Sequence, residues 1–414
     1  MVSVLTNRTG VTVVGIPARN EAARVAGVAV AADAGLGKAF PDGTNVVVLA
    51  DNGSTDGTPE RFLDTELTAR KVVVRSGGIG TGKGTNVFEI LDQGALLEAD
   101  RVLLLDADVR STEPEWIDRL ACAVDGPEPA IAVPAYRRNR FEANTTNHLA
   151  SPLLAAVFGE HVQQPIGGEF AFNRAFIERA RTWSRPASSY LYGIDVWLTA
   201  NALRENLRVV EVPLGRKLHN SPFPKILRLP QQVLDSLFHI VLQLDDVRPP
   251  SPRAPVSRAA IDSASVRPDQ AVVAHVTGSV GRYLDEYWPD VCEIFPSARE
   301  IRPAPWGLRV CTENWPHVLA DAVAGISRHG LESTRDHLVA LYVNRVLTFW
   351  DEIEGLDGAQ IDLLLDRQAT ETAQAVRARD IAFGHSAPPV GFHENHWVGY
   401  NDDSADPVGW SVPA

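Results

Sequence analysis

Along its first half the chain repeats one unit: a short run of Val, Ile and Leu that stops at a polar or acidic turn, then a stretch at helical spacing. The runs are TVVGIPA (12–18), NVVVLADN (45–52), KVVVRS (71–76) and RVLLLDAD (101–108). The stretches between them are NEAARVAGVAVAADAG (20–35), TPERFLDTELTA (58–69) and VFEILDQGALLEA (87–99). Apolar runs of this kind fit strands buried on both faces, and their alternation with helices predicts a mostly parallel sheet flanked by helices. Ligands of such sheets bind beyond the carboxyl ends of the strands. Asp51, Asp106 and Asp108 are all predicted to lie at such ends.

Two further strands are predicted at AIAVPAY (130–136) and LRVVEVPLG (207–215). QQPIGGEFAFNRAFI (163–177) reads as a turn and strand entering a helix, and GIDVWLTANALREN (193–206) as a helix. Beyond residue 225 the strands are expected to stop. An amphipathic helix is predicted over 230–246, and a connection rich in Pro and Arg (248–268) is read as mobile. Apolar residues then recur at helical spacing over 272–288 and 337–353, which makes buried helix faces. Trp288, Tyr342 and Trp350 are expected in that core. The predicted organisation is an α/β domain over 1–228, a helical domain over 229–385 and an irregular tail over 386–414.

Composition narrows the function classes. Lys and Arg total 39 against 52 Asp and Glu, a net charge of −13. Such a balance disfavours nucleic acid and anionic lipid, both of which need clustered cations. Cys122, Cys292 and Cys311 are too widely spaced for a disulfide scaffold or a zinc ribbon, and suit a reducing cytosol. No apolar run reaches the ~18–20 residues of a membrane span, and the first residues lack a signal-peptide pattern. A cytoplasmic location is expected.

LLLDAD (103–108) carries the strongest chemical signal. Two carboxylates one residue apart, emerging from a buried strand, can share a hard cation such as Mg²⁺ or Mn²⁺ with a diphosphate. The triplet alone is also compatible with a solvated strand end. In LADNGSTDGT (49–58), Asp51 can accept a hydrogen bond from a nucleobase, while Ser54 or Asp56 can cap the next helix. In PARNEAARV (17–25), Pro17 ends the strand, Asn20 is placed to cap the helix, and Glu21 either faces a nucleotide or serves the helix dipole. GGIGTGKGTN (77–86) sets four glycines before Lys83 at a helix start, suited to a diphosphate though not the nucleotide-triphosphatase pattern. In QPIGGEFAFNR (164–174), Gly167 and Gly168 let a ligand approach the backbone. Glu169, on an apolar stretch, must be a substrate ligand or an ion-pair member. Asp195 in YGIDVWL (192–198) is either a first-turn charge or a carboxylate aimed at a sugar hydroxyl. His219 in GRKLHNSPF (215–223) gains meaning only if the fold brings it to Asp108.

In this order the motifs resemble those of nucleotide-sugar glycosyltransferases of the GT-A fold. GTGKG, QPIGGEFAFNR, YGID and KLHN are similar to the retaining enzymes that make compatible solutes, the mannosylglycerate, glucosylglycerate and glucosyl-3-phosphoglycerate synthases. EYWPDVCEIF (286–295) and YVNRVLTFWDEIEG (342–355) are similar to the helical tail of the first of these. The resemblance implies a GT-A, Rossmann-like catalytic domain followed by a mainly α-helical C-terminal domain. It implies a donor such as GDP-mannose or UDP-glucose, and a small, anionic acceptor such as D-glycerate.

The same resemblance implies the residue roles. Pro17, Glu21, Asp51, Lys83 and Asp106 would hold the donor nucleotide. Asp108 and His219 would ligate a divalent metal, Mg²⁺ or Mn²⁺. Asp106, Glu169 and Asp195 would work at the donor hexose. Tyr136, Arg137, Arg138, Gly167 and Gly168 would meet the acceptor. One departure stands in AVPAYRRNR (132–140): the basic residue these enzymes carry upstream is replaced by apolar residues and Pro134. That opens a rival reading, a tailoring glycosyltransferase with another acceptor. A nucleotidyltransferase would place its glycine-rich loop after the first strand, where this chain has PARNEAARV. A non-catalytic nucleotide-sugar-binding protein has no need of Asp106, Asp108, Glu169 and His219 together. The helical part is left two jobs, a cap over the acceptor side or a homodimer interface.

Overall fold

The structure, a computed structural model, describes residues 9–76, 82–219, 223–249, 251, 267–379 and 381. The repeated unit builds β1 (Val11–Ala18), α1 (Val25–Ala39), β2 (Thr44–Asp51), α2 (Thr58–Asp64), β3 (Arg70–Arg75), α3 (Lys83–Leu96) and β4 (Arg101–Leu104). The chain continues through α4 (Glu115–Ala123), β5 (Ala130–Arg137), α5 (Ser151–Phe158), β6 (Phe170–Asn173), α6 (Arg174–Ala180), α7 (Ile194–Arg204), β7 (Arg208–Arg216) and α8 (Leu229–Val241). The seven strands form one sheet in the order β3-β2-β1-β4-β6-β5-β7. All neighbours are parallel except β6, which runs antiparallel to β4 and to β5. The fold is the mostly parallel α/β sheet expected from the sequence, with a helical C-terminal region after it.

The strands are apolar throughout because both faces are covered. Val13, Val46, Val48, Val102 and Leu104 point into a core filled by α3, α5 and α7. Val14, Val47, Leu49 and Leu103 point the other way, onto α1 and α4 with Leu36, Trp116 and Leu120. The period of two along each strand sends successive residues to opposite layers. β4 ends at Leu104, earlier than the 101–108 run suggests, so Asp106 and Asp108 stand on the turn beyond the strand. The second helix also stops early, at Asp64.

The helical region holds α9 (Gln270–Ile294), α10 (Trp315–Arg328), α11 (Leu331–Glu352) and α12 (Gly358–Arg377). It also contains a short antiparallel hairpin not expected from the sequence, β8 (Arg302–Ala304) with β9 (Gly307–Arg309). α11 is buried on all sides from Thr334 to Trp350. Its buried guanidinium is held by several acceptors: Arg345, fully buried, donates to Glu352 Oε2 at 2.7 Å, Thr312 Oγ1 at 3.0 Å and Gln368 Oε1 at 3.2 Å. The first apolar core continues without a break from Val13 in β1 to Val376 in α12. Polar ties follow it: Trp315 Nε1 donates to His148 O at 2.7 Å, and Gln368 Nε2 to Asn147 O at 2.8 Å.

The connection read as mobile is anchored at its start. Arg248 N donates to Val157 O at 2.9 Å, its guanidinium to Leu203 O at 2.7 Å and Asn206 Oδ1 at 2.6 Å, and Ser251 N to Gly159 O at 2.7 Å. Residues 252–266 and the tail 386–414 lie outside the described residues, as do 77–81 of the glycine-rich loop. No helix among the described residues is long and apolar enough to cross a membrane.

Candidate active site

At the carboxyl edge of the sheet, the segments after β1, β2 and β3 are knitted by side-chain amides. Asn86 Nδ2 donates to Ala18 O at 3.0 Å, and Asn52 Nδ2 to Gly82 O at 3.1 Å. Pro17 is buried in β1, in register with Ala50. Asn20 does not cap α1, whose first turn begins at Val25. It takes a left-handed conformation (φ 57°) and clips two loops together. Its N–H donates to Ser54 Oγ at 2.8 Å, and its Oδ1 accepts from Thr55 N at 2.9 Å. Asp56 accepts from Thr58 N at 3.0 Å and from Ala22 N at 3.0 Å, so it serves both loops.

Asp51 closes β2 with its side chain buried. Its Oδ2 accepts from Ser54 N at 3.1 Å, while its Oδ1 is buried with no hydrogen-bond partner. Lys83, the first residue of α3, reaches Asp106 Oδ1 at 2.8 Å and Asp195 Oδ2 at 3.1 Å. The remaining oxygen of Asp195 is likewise buried and unpartnered. Burial pushes the Asp195 carboxyl up, with Lys83 opposing. A tight crossing brings α3 to the segment before α7. Gly84 N donates to Leu191 O at 3.0 Å, and a Cβ on Gly84 would lie 1.8 Å from Ser189 O.

The sequence reading omitted the centre of the cluster, Lys217. One residue past β7, its Nζ donates to Asp106 Oδ2 at 3.1 Å, Gly167 O at 2.8 Å, and Glu169 at 2.8 and 3.1 Å. Glu169 is fully buried and also accepts from Tyr136 OH at 2.6 Å. Burial alone would raise the Asp106 carboxyl, yet Lys83 and Lys217 hold it well below the usual carboxylate range. Gly168 (φ +99°) makes this approach possible, since a Cβ there would sit 2.1 Å from Asp106 Oδ2 and 2.9 Å from Lys217 Nζ. Gly167 packs against Pro134 in the same way, 2.2 Å from a would-be Cβ to Cγ. The paired glycines thus admit protein groups, where the sequence suggested room for a ligand.

Asp108 differs from Asp106. Burial, then the charge of Asp106, pushes its carboxyl up. Burial and then Asp108 push Glu21 up to about 7. The segment carrying His219 is tied to the turn after Asp108, through Arg110 N to Leu218 O at 2.8 Å and Leu218 N to Ser111 Oγ at 2.9 Å. His219 Nε2 lies 3.2 Å from Arg138 Nη1, and since guanidinium only donates, Nε2 accepts there. Asp106, Asp108 and Glu21 lie in one another's field, and a divalent cation would relieve that repulsion. Among the described residues, the three possible ligands whose atoms converge within 4.8 Å are instead Cys311, Glu313 and Glu352, and there Glu352 is engaged by Arg345 and Thr312.

Of the residues expected at an acceptor, Tyr136 is buried against Glu169. Arg138 donates to Gln164 Oε1 at 3.1 Å, and Arg137 stands exposed at the end of β5.

No family model matches this chain, and no curated protein matches it. Among solved structures it is similar to glucosyl-3-phosphoglycerate synthase from Mycobacterium tuberculosis in complex with Mn²⁺, UDP and glucosyl-3-phosphoglycerate. The two share 24% identity over 56% of this chain and 80% of that one, with a TM-score of 0.45. The same enzyme with Mn²⁺, UDP-glucose and glycerol 3-phosphate gives 24% identity over 59% and 88%, with a TM-score of 0.44. A further mycobacterial protein gives 24% identity over 56% and 74%, with a TM-score of 0.46.

Proposed function

We propose that the chain is a metal-dependent glycosyltransferase that moves a hexose from a nucleoside-diphosphate sugar to a small anionic acceptor of the glycerate type. One observation carries the reading. Two buried carboxylate oxygens, Asp51 Oδ1 and Asp195 Oδ1, lack partners on either side of a lysine–carboxylate cluster at the carboxyl edge of the sheet. A buried acceptor without a donor is costly, and a ligand bearing N–H and O–H groups satisfies both.

In this reading Asp51 accepts from the base, and Lys83 lies along the diphosphate as a point charge. Asp195 and Asp106 accept from hydroxyls of the donor sugar. Asp108 and His219, with Glu21 adjoining, hold Mg²⁺ or Mn²⁺, the ions bound by the mycobacterial synthase. Such a cation neutralises the departing nucleoside diphosphate. The buried set Tyr136, Glu169 and Lys217 supports Asp106 from behind. Arg137 faces the acceptor's carboxylate or phosphate. The carboxylates placed at the donor sugar in this reading, Asp106, Glu169 and Asp195, are each paired with Lys83 or Lys217 and so are poor nucleophiles for double displacement, and transfer with retention by front-face attack fits that pairing. The catalytic unit ends near residue 228.

A different acceptor is the second reading. It is favoured by the apolar stretch upstream of Tyr136, where the resemblance implies a basic side chain and where Pro134 packs on Gly167. A matrix of GDP-mannose, GDP-glucose and UDP-glucose against D-glycerate, 3-phosphoglycerate and glucosylglycerate, with Mg²⁺ and Mn²⁺, tests both. One strong metal-dependent pair establishes the transferase. Donor hydrolysis without transfer removes glycerate and favours the second reading. Neither turnover nor nucleotide binding would discard both.

A further inference from the structure

We propose that Lys217 is a built-in cation for Asp106, a positioning residue that keeps the first carboxylate of the Asp-Ala-Asp triplet out of the divalent cation's shell and leaves the cation to Asp108. The proposal rests on the reading above, that this triplet works with a divalent cation.

The geometry leaves the lysine little freedom. An ammonium has three protons, and Nζ here meets four acceptor atoms on Asp106, Gly167 and Glu169 between 2.8 and 3.1 Å. Its side chain is 5% exposed and that of Glu169 is 0%, so neither is placed to follow a substrate. Tyr136 OH closes the set by donating to Glu169 Oε2. Asp106 is thus engaged at both oxygens, Oδ1 by Lys83 and Oδ2 by Lys217. The positive φ of Gly168 and its missing side chain belong to the same device, since any Cβ there would collide with both partners. Asp106 and Asp108 are two residues apart on one turn, and only the first is clamped. A hard cation takes whichever carboxylate oxygens are free, so the clamp decides how many the triplet offers.

Neutralising the clamp tests this. Lys217→Met alone adds a net negative charge and strands Glu169, so it confounds field, folding and coordination. Lys217→Met with Glu169→Gln removes one charge of each sign, keeps side-chain volume and frees Asp106 Oδ2. Mn²⁺ affinity is measured on the full chain by electron paramagnetic resonance of free Mn²⁺, with UDP and with GDP. Water-proton relaxation reads the waters left on bound Mn²⁺. The double variant is expected to bind Mn²⁺ about tenfold more tightly than wild type, with loss of an inner-sphere water as Asp106 enters the shell. Unchanged or weaker binding with unchanged hydration, in a double variant of native circular dichroism, overturns the proposal while leaving the transferase reading intact. Wild type that binds Mn²⁺ with neither nucleotide overturns the reading itself and the proposal with it.

Discussion

Lys83 and Asp195 are 112 positions apart in the chain, yet their Nζ and Oδ2 atoms are 3.1 Å apart. The pair joins the first turn of the helix after the glycine-rich loop to the first turn of α7. It forms because Gly84 has no side chain to hold the 189–191 segment away. Lys83 also holds Asp106, so one ammonium links a carboxylate from the sheet's centre to one from a distant helix.

If Lys83 serves the diphosphate, Lys83→Met removes a charge that matters most as the leaving group departs. Its kcat/KM for the nucleotide sugar is expected to fall about 10²–10³-fold. Steady-state kinetics with the best donor checks this, and a loss below fivefold would place Lys83 outside the diphosphate site.

Gly168→Ala tests the packing behind Asp106. The left-handed backbone costs on the order of 1–3 kcal/mol for a residue with a side chain, and the new Cβ displaces Asp106 as well. Urea unfolding should show a loss at or above that range. Stability equal to wild type would mean that the Gly168–Asp106–Lys217 contact is loose.

Much of the fold was legible because buried parallel strands announce themselves as uninterrupted Val, Ile and Leu, as in β2. The carboxylates beyond those strands were legible for the same reason, since Asp106 and Asp108 cannot remain in a core. Glu169 signalled its own need for a partner, but nothing in KLHN says that Lys217 turns inward to meet it. That meeting depends on β5, β6 and β7 lying side by side, which is a property of the topology. Asn20 looked like a cap because caps and loop clips use the same amide chemistry, and only its positive φ separates them. The β8–β9 hairpin, with three residues per strand, is too short for a period of two to appear.

Glu21 gives stability a pH dependence of known sign. The unfolded chain releases this proton near pH 4.5, while the folded chain, through burial and the charge of Asp108, holds it to about 7. Between those values the folded state binds more protons, so Glu21 makes stability fall as pH rises across the window and level off above it. Glu21→Gln should remove this fall, a difference on the order of 1–2 kcal/mol across the window once solvent screening of the half-buried carboxyl is allowed for. Chemical denaturation of both proteins at about pH 5 and about pH 7.5 measures it, and parallel slopes would remove Glu21 from the charged cluster.

Asp108→Asn should move stability in opposite directions with and without cation. Burial and Asp106 both disfavour the ionised Asp108, so the neutral amide raises the melting temperature of the cation-free protein at neutral pH. Mn²⁺ with a nucleoside diphosphate should raise the melting temperature of wild type and leave that of the variant nearly unmoved. A variant that Mn²⁺ stabilises as well as it stabilises wild type would take the cation away from Asp108.

Arg137 and Arg138 are adjacent but placed for different work. Arg138 is tied to Gln164 and reaches His219, so its loss disturbs the segment beside Asp108. Arg137 is exposed at the end of β5, where a guanidinium can take a carboxylate or phosphate in a fork. Arg137→Ala should therefore raise the acceptor KM about tenfold or more, with the donor KM and melting temperature little changed. Arg138→Ala should lower kcat and weaken metal dependence as well. Equal effects of the two variants on acceptor KM would erase this division, and an unchanged acceptor KM in Arg137→Ala would move the anion's partner off β5.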